Sequence, residues 1–130
     1  MKKALILPLL VLAAAAANAG TYSVLQASEC PLVSATELSK AVRHAGTVTG
    51  LDLPKDMALR AELHCALAGK GAGAGYVYSF RAAIEKQVSD GEQMRWTPVA
   101  HHTGFGTVNG SSTMLRQVHF TVRDLVRQEP

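Results

Sequence analysis

The feature that most restricts the fold is a set of segments in which apolar and polar residues alternate with period two. Met57–Leu67 carries Leu59, Ala61, Leu63 and Cys65 on one side and Arg60, Glu62 and His64 on the other; Tyr76–Val88 sets Tyr78, Phe80, Ala82 and Ile84 against Ser79, Arg81 and Glu85. Such alternation belongs to strands with one face buried and the other in water. Two further segments, Gln93–Thr103 and Thr113–Val126, follow the rule more loosely. The dipeptides Asp90-Gly91 and Asn109-Gly110 separate the last three, and both accept the positive φ of two-residue hairpin turns. The pattern predicts a four-stranded antiparallel meander.

Its registers can be written down. A turn centred on Asp90-Gly91 sets Ile84 opposite Thr97, Ala82 opposite Val99 and Phe80 opposite His101; one centred on Asn109-Gly110 sets Val99 opposite Phe120 and His101 opposite Val118. Pairing Leu63 with Phe80 and Cys65 with Tyr78 adds Leu59 and Ala61 to the same apolar face. A one-residue slip would mix the faces, so the registers support one another.

Ahead of the meander, Thr21–Gln26 reads as a short strand and Ala27–Cys30 as a turn. Ser34 and Glu37 then form a capping box, with Val33 and Leu38 placed as a hydrophobic staple and Gly46 as the stop, which predicts a helix from Thr36 to Ala45. Leu38, Ala41, Val42 and Ala45 give it one apolar stripe, with Lys40 and Arg43 outward. Gly46 to Asp56 is a connection. Cys30 and Cys65 are spaced neither as a redox pair nor as a zinc site and are expected to form one disulfide, tying the helix over the sheet.

The N-terminus sets the compartment. Lys2 and Lys3 precede an apolar run, Ala4 to Ala17, which ends in the small-x-small sequence Ala17-Asn18-Ala19. These features predict a cleaved signal peptide over residues 1–19 and one mature domain over 20–130, in the periplasm or, alternatively, secreted. No later segment is long and apolar enough to suggest a membrane span, and no cysteine follows the leader as an acyl acceptor. Two of the 13 basic residues leave with the leader while all 10 acidic ones stay, so the mature net charge is about +1. Nucleic-acid binding, which needs a basic stripe, loses its support.

A short strand, one N-terminal helix and an antiparallel four- to five-stranded meander make an α+β layout that resembles the cystatin-like roll. The protease-binding motifs of cystatins do not carry over: the chain has Gln87-Val88-Ser89-Asp90-Gly91 where a Gln-x-Val-x-Gly loop is needed, and it has no Pro-Trp.

On the sheet's polar face this register collects Arg60, Glu62, His64, Arg81, Glu85, Trp96, His102, Gln117, His119 and Arg123, with Glu62 opposite Arg81 and Glu85 opposite Trp96. One reading is a solvated face laced with ion pairs. The other is a binding patch of Glu62, Arg81, Trp96, His102, His119 and Arg123, since Trp and Arg anchor interfaces. No catalytic motif is present and no cofactor is implied. The run Gly69–Gly75 lacks a phosphate loop's Lys-Ser/Thr ending, and Asn109-Gly110-Ser111 is accounted for by the turn. The expected function is an exported binding protein that recognises another envelope protein as an inhibitor or immunity-type neutraliser. The alternatives are a small-ligand or metal-binding periplasmic protein, or a small hydrolase using a histidine of the exposed face. An exposed face of this kind also allows a homo-oligomer.

Overall fold

The first helix is set by its capping box. In a computed structural model, which describes residues 20–28, 30–70 and 73–128, the Glu37 N–H donates to Ser34 Oγ at 3.1 Å and the Ser34 N–H donates to Glu37 Oε1 at 3.0 Å. Two of the donors that a helix start leaves unpaired are thereby satisfied. Helix α1 (Ala35–Val48) buries Leu38, Val42 and Ala45. The expected stop at Gly46 is corrected, because the helix continues to Val48 and Thr49 caps it. Gly46 serves a close approach instead: a Cβ there would meet the Tyr22 hydroxyl, so only glycine lets α1 lie this near β1 (Thr21–Gln26).

Strands β2 (Met57–Leu67), β3 (Tyr76–Asp90) and β4 (Gln93–Val108) complete one sheet in the order β1-β2-β3-β4. β1 pairs with β2 in parallel, from Thr21 against Ala58 to Gln26 against Leu63. The sheet is therefore mixed rather than wholly antiparallel, since α1 carries the chain back across it before β2 begins. The expected helix is thus not the first element, as β1 precedes it. β2 and β3 pair antiparallel in the expected register, Leu63 with Phe80 and Cys65 with Tyr78.

The β3–β4 pairing departs from expectation in two ways. Asp90 pairs with Gln93, so the loop is Gly91-Glu92, and a bulge falls between the Glu85–Pro98 and Ile84–Ala100 pairs, leaving Val99 over. Pro98 has no N–H to give the ladder, and a bulge beside it on an edge strand is a usual accommodation. Each extra residue reverses the faces beyond it. Ala82 therefore pairs with His102, and Phe80 with Gly104, not with Val99 and His101.

The expected last strand, Thr113–Val126, is helix α2 (Ser111–Gln128). Its β-branched and aromatic residues alternate, but Met114, Val118, Thr121, Val122 and Leu125 also form a stripe at helical spacing, and all are buried. Asn109-Gly110 is a strand-to-helix junction, not a hairpin: the Met114 N–H donates to Gly110 O. Gly104 leaves room for the helix on β4, where a Cβ would collide with Thr121 Oγ1.

Both helices cover the same side of the sheet. The core joins Leu38 and Val42 of α1, Leu59 and Leu63 of β2, Phe80 and Ile84 of β3, and Met114, Val118, Val122 and Leu125 of α2. The Cys30–Cys65 disulfide fastens the segment before α1 to β2, Cα to Cα 5.3 Å. Closing a loop of this size contributes about 3 to 4 kcal/mol in the chain-entropy description. Beside it Gln26 Nε2 donates to Val33 O at 2.9 Å, and Ser28 Oγ both accepts from Cys65 N–H and donates to Cys65 O. The fold is α+β with a four-stranded mixed sheet and two helices. It shares with the cystatin-like layout a helix laid over a sheet, and nothing further supports that resemblance. The expected signal peptide lies outside the described residues, as do Gly71 and Ala72 of the glycine-rich run. No helix among the described residues is long and apolar enough to cross a membrane.

Candidate recognition surface

Both helices lie on one side, and among the described residues nothing covers the sheet's other face. Cross-strand rows run over it: Thr21, Ala58, Glu85, Pro98; Ser23, Arg60, Ala83, His101; Leu25, Glu62, Arg81, Thr103; and His64, Ser79, Phe105. Large apolar side chains stand exposed around the charged centre, namely Leu25, Val77, Trp96 at 44% and Phe105 at 80%.

Arg60, Glu62, Arg81, Glu85 and Trp96 lie on this face, as the sequence predicts. Arg60 Nη1 lies 3.9 Å from Glu85 Oε2, whose side chain is only 12% exposed. Glu62 and Arg81 are cross-strand neighbours, yet the Glu62 carboxylate turns along its own strand to His64 Nε2 at 3.2 Å. Among the described residues Arg81 has no carboxylate within 4.0 Å. Glu85 faces Pro98 rather than Trp96, which pairs with Gln87. A shallow cleft of about 530 Å³ opens among Ser23, Leu25, Arg60, Glu62, Arg81 and Glu85.

His102, His119 and Arg123 are not part of it, which corrects the expected patch. The bulge at Val99 turns His102 to the helix side, where its Nδ1 accepts from Gln128 Nε2 at 2.8 Å and its Nε2 lies 3.7 Å from Asp124. Arg123 and His119 ride on α2: Arg123 donates twice to Asp124 Oδ1 at 3.1 Å and lies 4.7 Å from the Phe120 ring centroid, while His119 meets Phe120 edge-on. Of these only His102 joins α2 to β4, while the Arg123 and His119 contacts stay within α2. Gln117 ties α2 to β3, accepting from the Tyr78 hydroxyl at 3.3 Å. Burial pushes the phenols of Tyr78 and Tyr22 above their ordinary value, with Arg43 partly offsetting the rise at Tyr22.

The imidazoles of His64, His102 and His119 are therefore separated, His64 on the open face, His102 at the β4–α2 seam and His119 on α2. Among the described residues no three His, Cys, Asp or Glu side chains gather to hold a metal ion. Comparison with protein-family models finds no match for the chain, and comparison with curated proteins finds no similar one. The functional reading rests on geometry.

Two features of this surface are not anticipated by the sequence reading. Met57 pairs with Lys86 and the Gln87 N–H donates to Asp56 O, so beyond them β3 and β4 continue alone as a two-stranded arm. The arm holds Val88, Met94 and Trp96 exposed, and Arg95 clamps Asp90 across its tip at 2.8 Å. Phe105 falls outside the expected strand because Thr103 is taken as its end. Continued alternation through Gly104, Phe105, Gly106 and Thr107, with glycines on the covered side, is the signal that locates it.

Proposed function

We propose that this chain is an exported binding protein of the bacterial cell envelope, periplasmic or secreted, that recognises another protein there as an inhibitor or immunity-type neutraliser. The observation that carries the reading is the β3–β4 arm. It projects past the rest of the sheet and, among the described residues, has no neighbouring strand to pair with, yet it holds Met94 and Trp96 in water on one face. Exposed aromatic and Met side chains on a hairpin contribute little to the core and suit a partner's groove. A disulfide in a domain this small fits an oxidising compartment, in agreement with the leader-like N-terminus.

The cleft between Arg60, Glu62, Arg81 and Glu85 supports a second reading, a small-ligand site. Guanidinium and carboxylate groups of both signs line it, which suits a zwitterion.

Affinity capture from an envelope extract tests the first reading, using the mature, oxidised protein beside its Trp96→Ala and Met94→Ala variants. The expected result is one protein retained in stoichiometric amount by the parent and lost with Trp96→Ala. Retention of nothing above background, or equal retention by all three, overturns the arm as the recognition element.

A further inference from the structure

We propose that the four-stranded part of the open face is a homodimer interface, in which two copies pack sheet against sheet about a two-fold axis that runs parallel to the strands between β2 and β3. The inference goes beyond arm recognition and does not depend on it. Three observations lead to a second copy as the occupant.

The first is charge. The face carries Arg60 and Arg81 against Glu62 and Glu85, so it is neutral yet patterned, and Arg81 lacks a carboxylate partner among the described residues. A two-fold axis along the strands lays β2 over the partner's β3 with each cross-strand row on its own copy. Because Glu62 and Arg81 share a row, each Arg81 then meets the partner's Glu62, and the pairing is made twice.

The second is shape. Phe105 projects from β4 at 80% exposure in the row of His64 and Ser79. β1 ends at Gln26, one row short of that level, and past its end an apolar hollow of about 410 Å³ spreads over β2 and β3 among Ser28, His64, Ala66, Val77 and Ser79. The same axis lays β4 over the partner's β1, which brings Phe105 into the space past the end of the partner's β1, beside its hollow, and Ala66 over the partner's Val77. Phe105 and the hollow sit at the same height along the strands.

The third is area. With strands spaced about 4.8 Å apart, β2, β3 and β4 over the nine rows from Ala58 to Ala66 and β1 over the first six present roughly 530 Å². Two copies together contribute about 1,100 Å² of projected surface, close to the roughly 1,200 Å² at which specific interfaces begin. The axis also sends both β3–β4 arms out at the same end, so the dimer presents two arms side by side.

Sedimentation velocity of the mature, oxidised protein at micromolar concentration, without any extract, tests this. The parent is expected to sediment at twice the monomer mass. Phe105→Asp and Arg81→Glu are expected to sediment as monomers, and the exchange variant Glu62→Arg with Arg81→Glu is expected to recover the dimer. Far-UV circular dichroism establishes that each variant is folded, and Phe105 is too exposed for its replacement to disturb the core. A monomeric parent, a dimer that persists in both single variants, or an exchange variant that stays monomeric overturns the proposal. Since no envelope protein is present, none of these results bears on capture by the arm.

Discussion

The two faces of the sheet are built from the same strands and the same alternation, and they have opposite fates. On the covered face Leu59, Leu63, Phe80 and Ile84 are fully buried beneath α1 and α2; on the open face Phe105, Trp96 and Leu25 remain in water although they are no less apolar. The difference teaches that period two fixes which residues share a face but not whether anything covers that face. Stability should therefore belong to one side and recognition to the other. Substitutions on the covered face should unfold the domain, and those on the open face should change only what it binds.

The sharpest way to break the comparison is Phe80→Ala, which removes a ring at 0% exposure and should cost about 3 to 5 kcal/mol by urea denaturation, a large share of the roughly 5 to 15 kcal/mol that holds a domain of this size. Next comes the disulfide. Reducing Cys30–Cys65 should lower the unfolding free energy by about 2 to 4 kcal/mol, because it alone joins the segment before α1 covalently to β2. Gly104→Val should cost about 1 to 3 kcal/mol, since the new side chain meets Thr121 under α2. Ser34→Ala should cost about 1 kcal/mol through loss of the cap.

The smallest expected effect is a pH dependence. The Ser34 backbone and side-chain hydrogen bonds hold Glu37 below its ordinary value of 4.5. A depressed carboxyl stabilises the fold above its unfolded pKa, and that contribution is lost as pH falls through the folded value. Glu37→Gln should therefore show a flatter decline in the urea midpoint than the parent below about pH 4.5. An equal decline in both would remove this residue from the acid response.

Much of the fold is legible where signals are local or mutually constraining. The Ser34–Glu37 box places the start of α1 within one residue, and the β2–β3 register emerges correctly because Leu59, Ala61, Leu63 and Cys65 must share a face with Tyr78, Phe80, Ala82 and Ile84. The parallel partner of β1 is not legible, since six residues of weak alternation carry no orientation. α2 is misread because Val118, Phe120 and Val122 satisfy period two as well as period 3.6, and Asn109-Gly110 suits a helix entry as readily as a turn. Of the candidate site, Glu62, Arg81 and Trp96 are placed correctly. His102 is lost to one bulged residue that reverses the strand beyond Pro98, and His119 and Arg123 are lost with the helix. Single-residue irregularities leave little trace in a hydrophobic pattern, yet they decide which side chains share a surface.

The division between the faces is tested most directly by the unfolding free energy of the double variant Trp96→Ala, Phe105→Asp, measured in urea at a concentration where sedimentation shows a monomer. The account predicts a loss of less than about 1 kcal/mol, as for ordinary exposed positions. A loss comparable to that of Phe80→Ala would contradict it, because the open face would then be part of what holds the domain together.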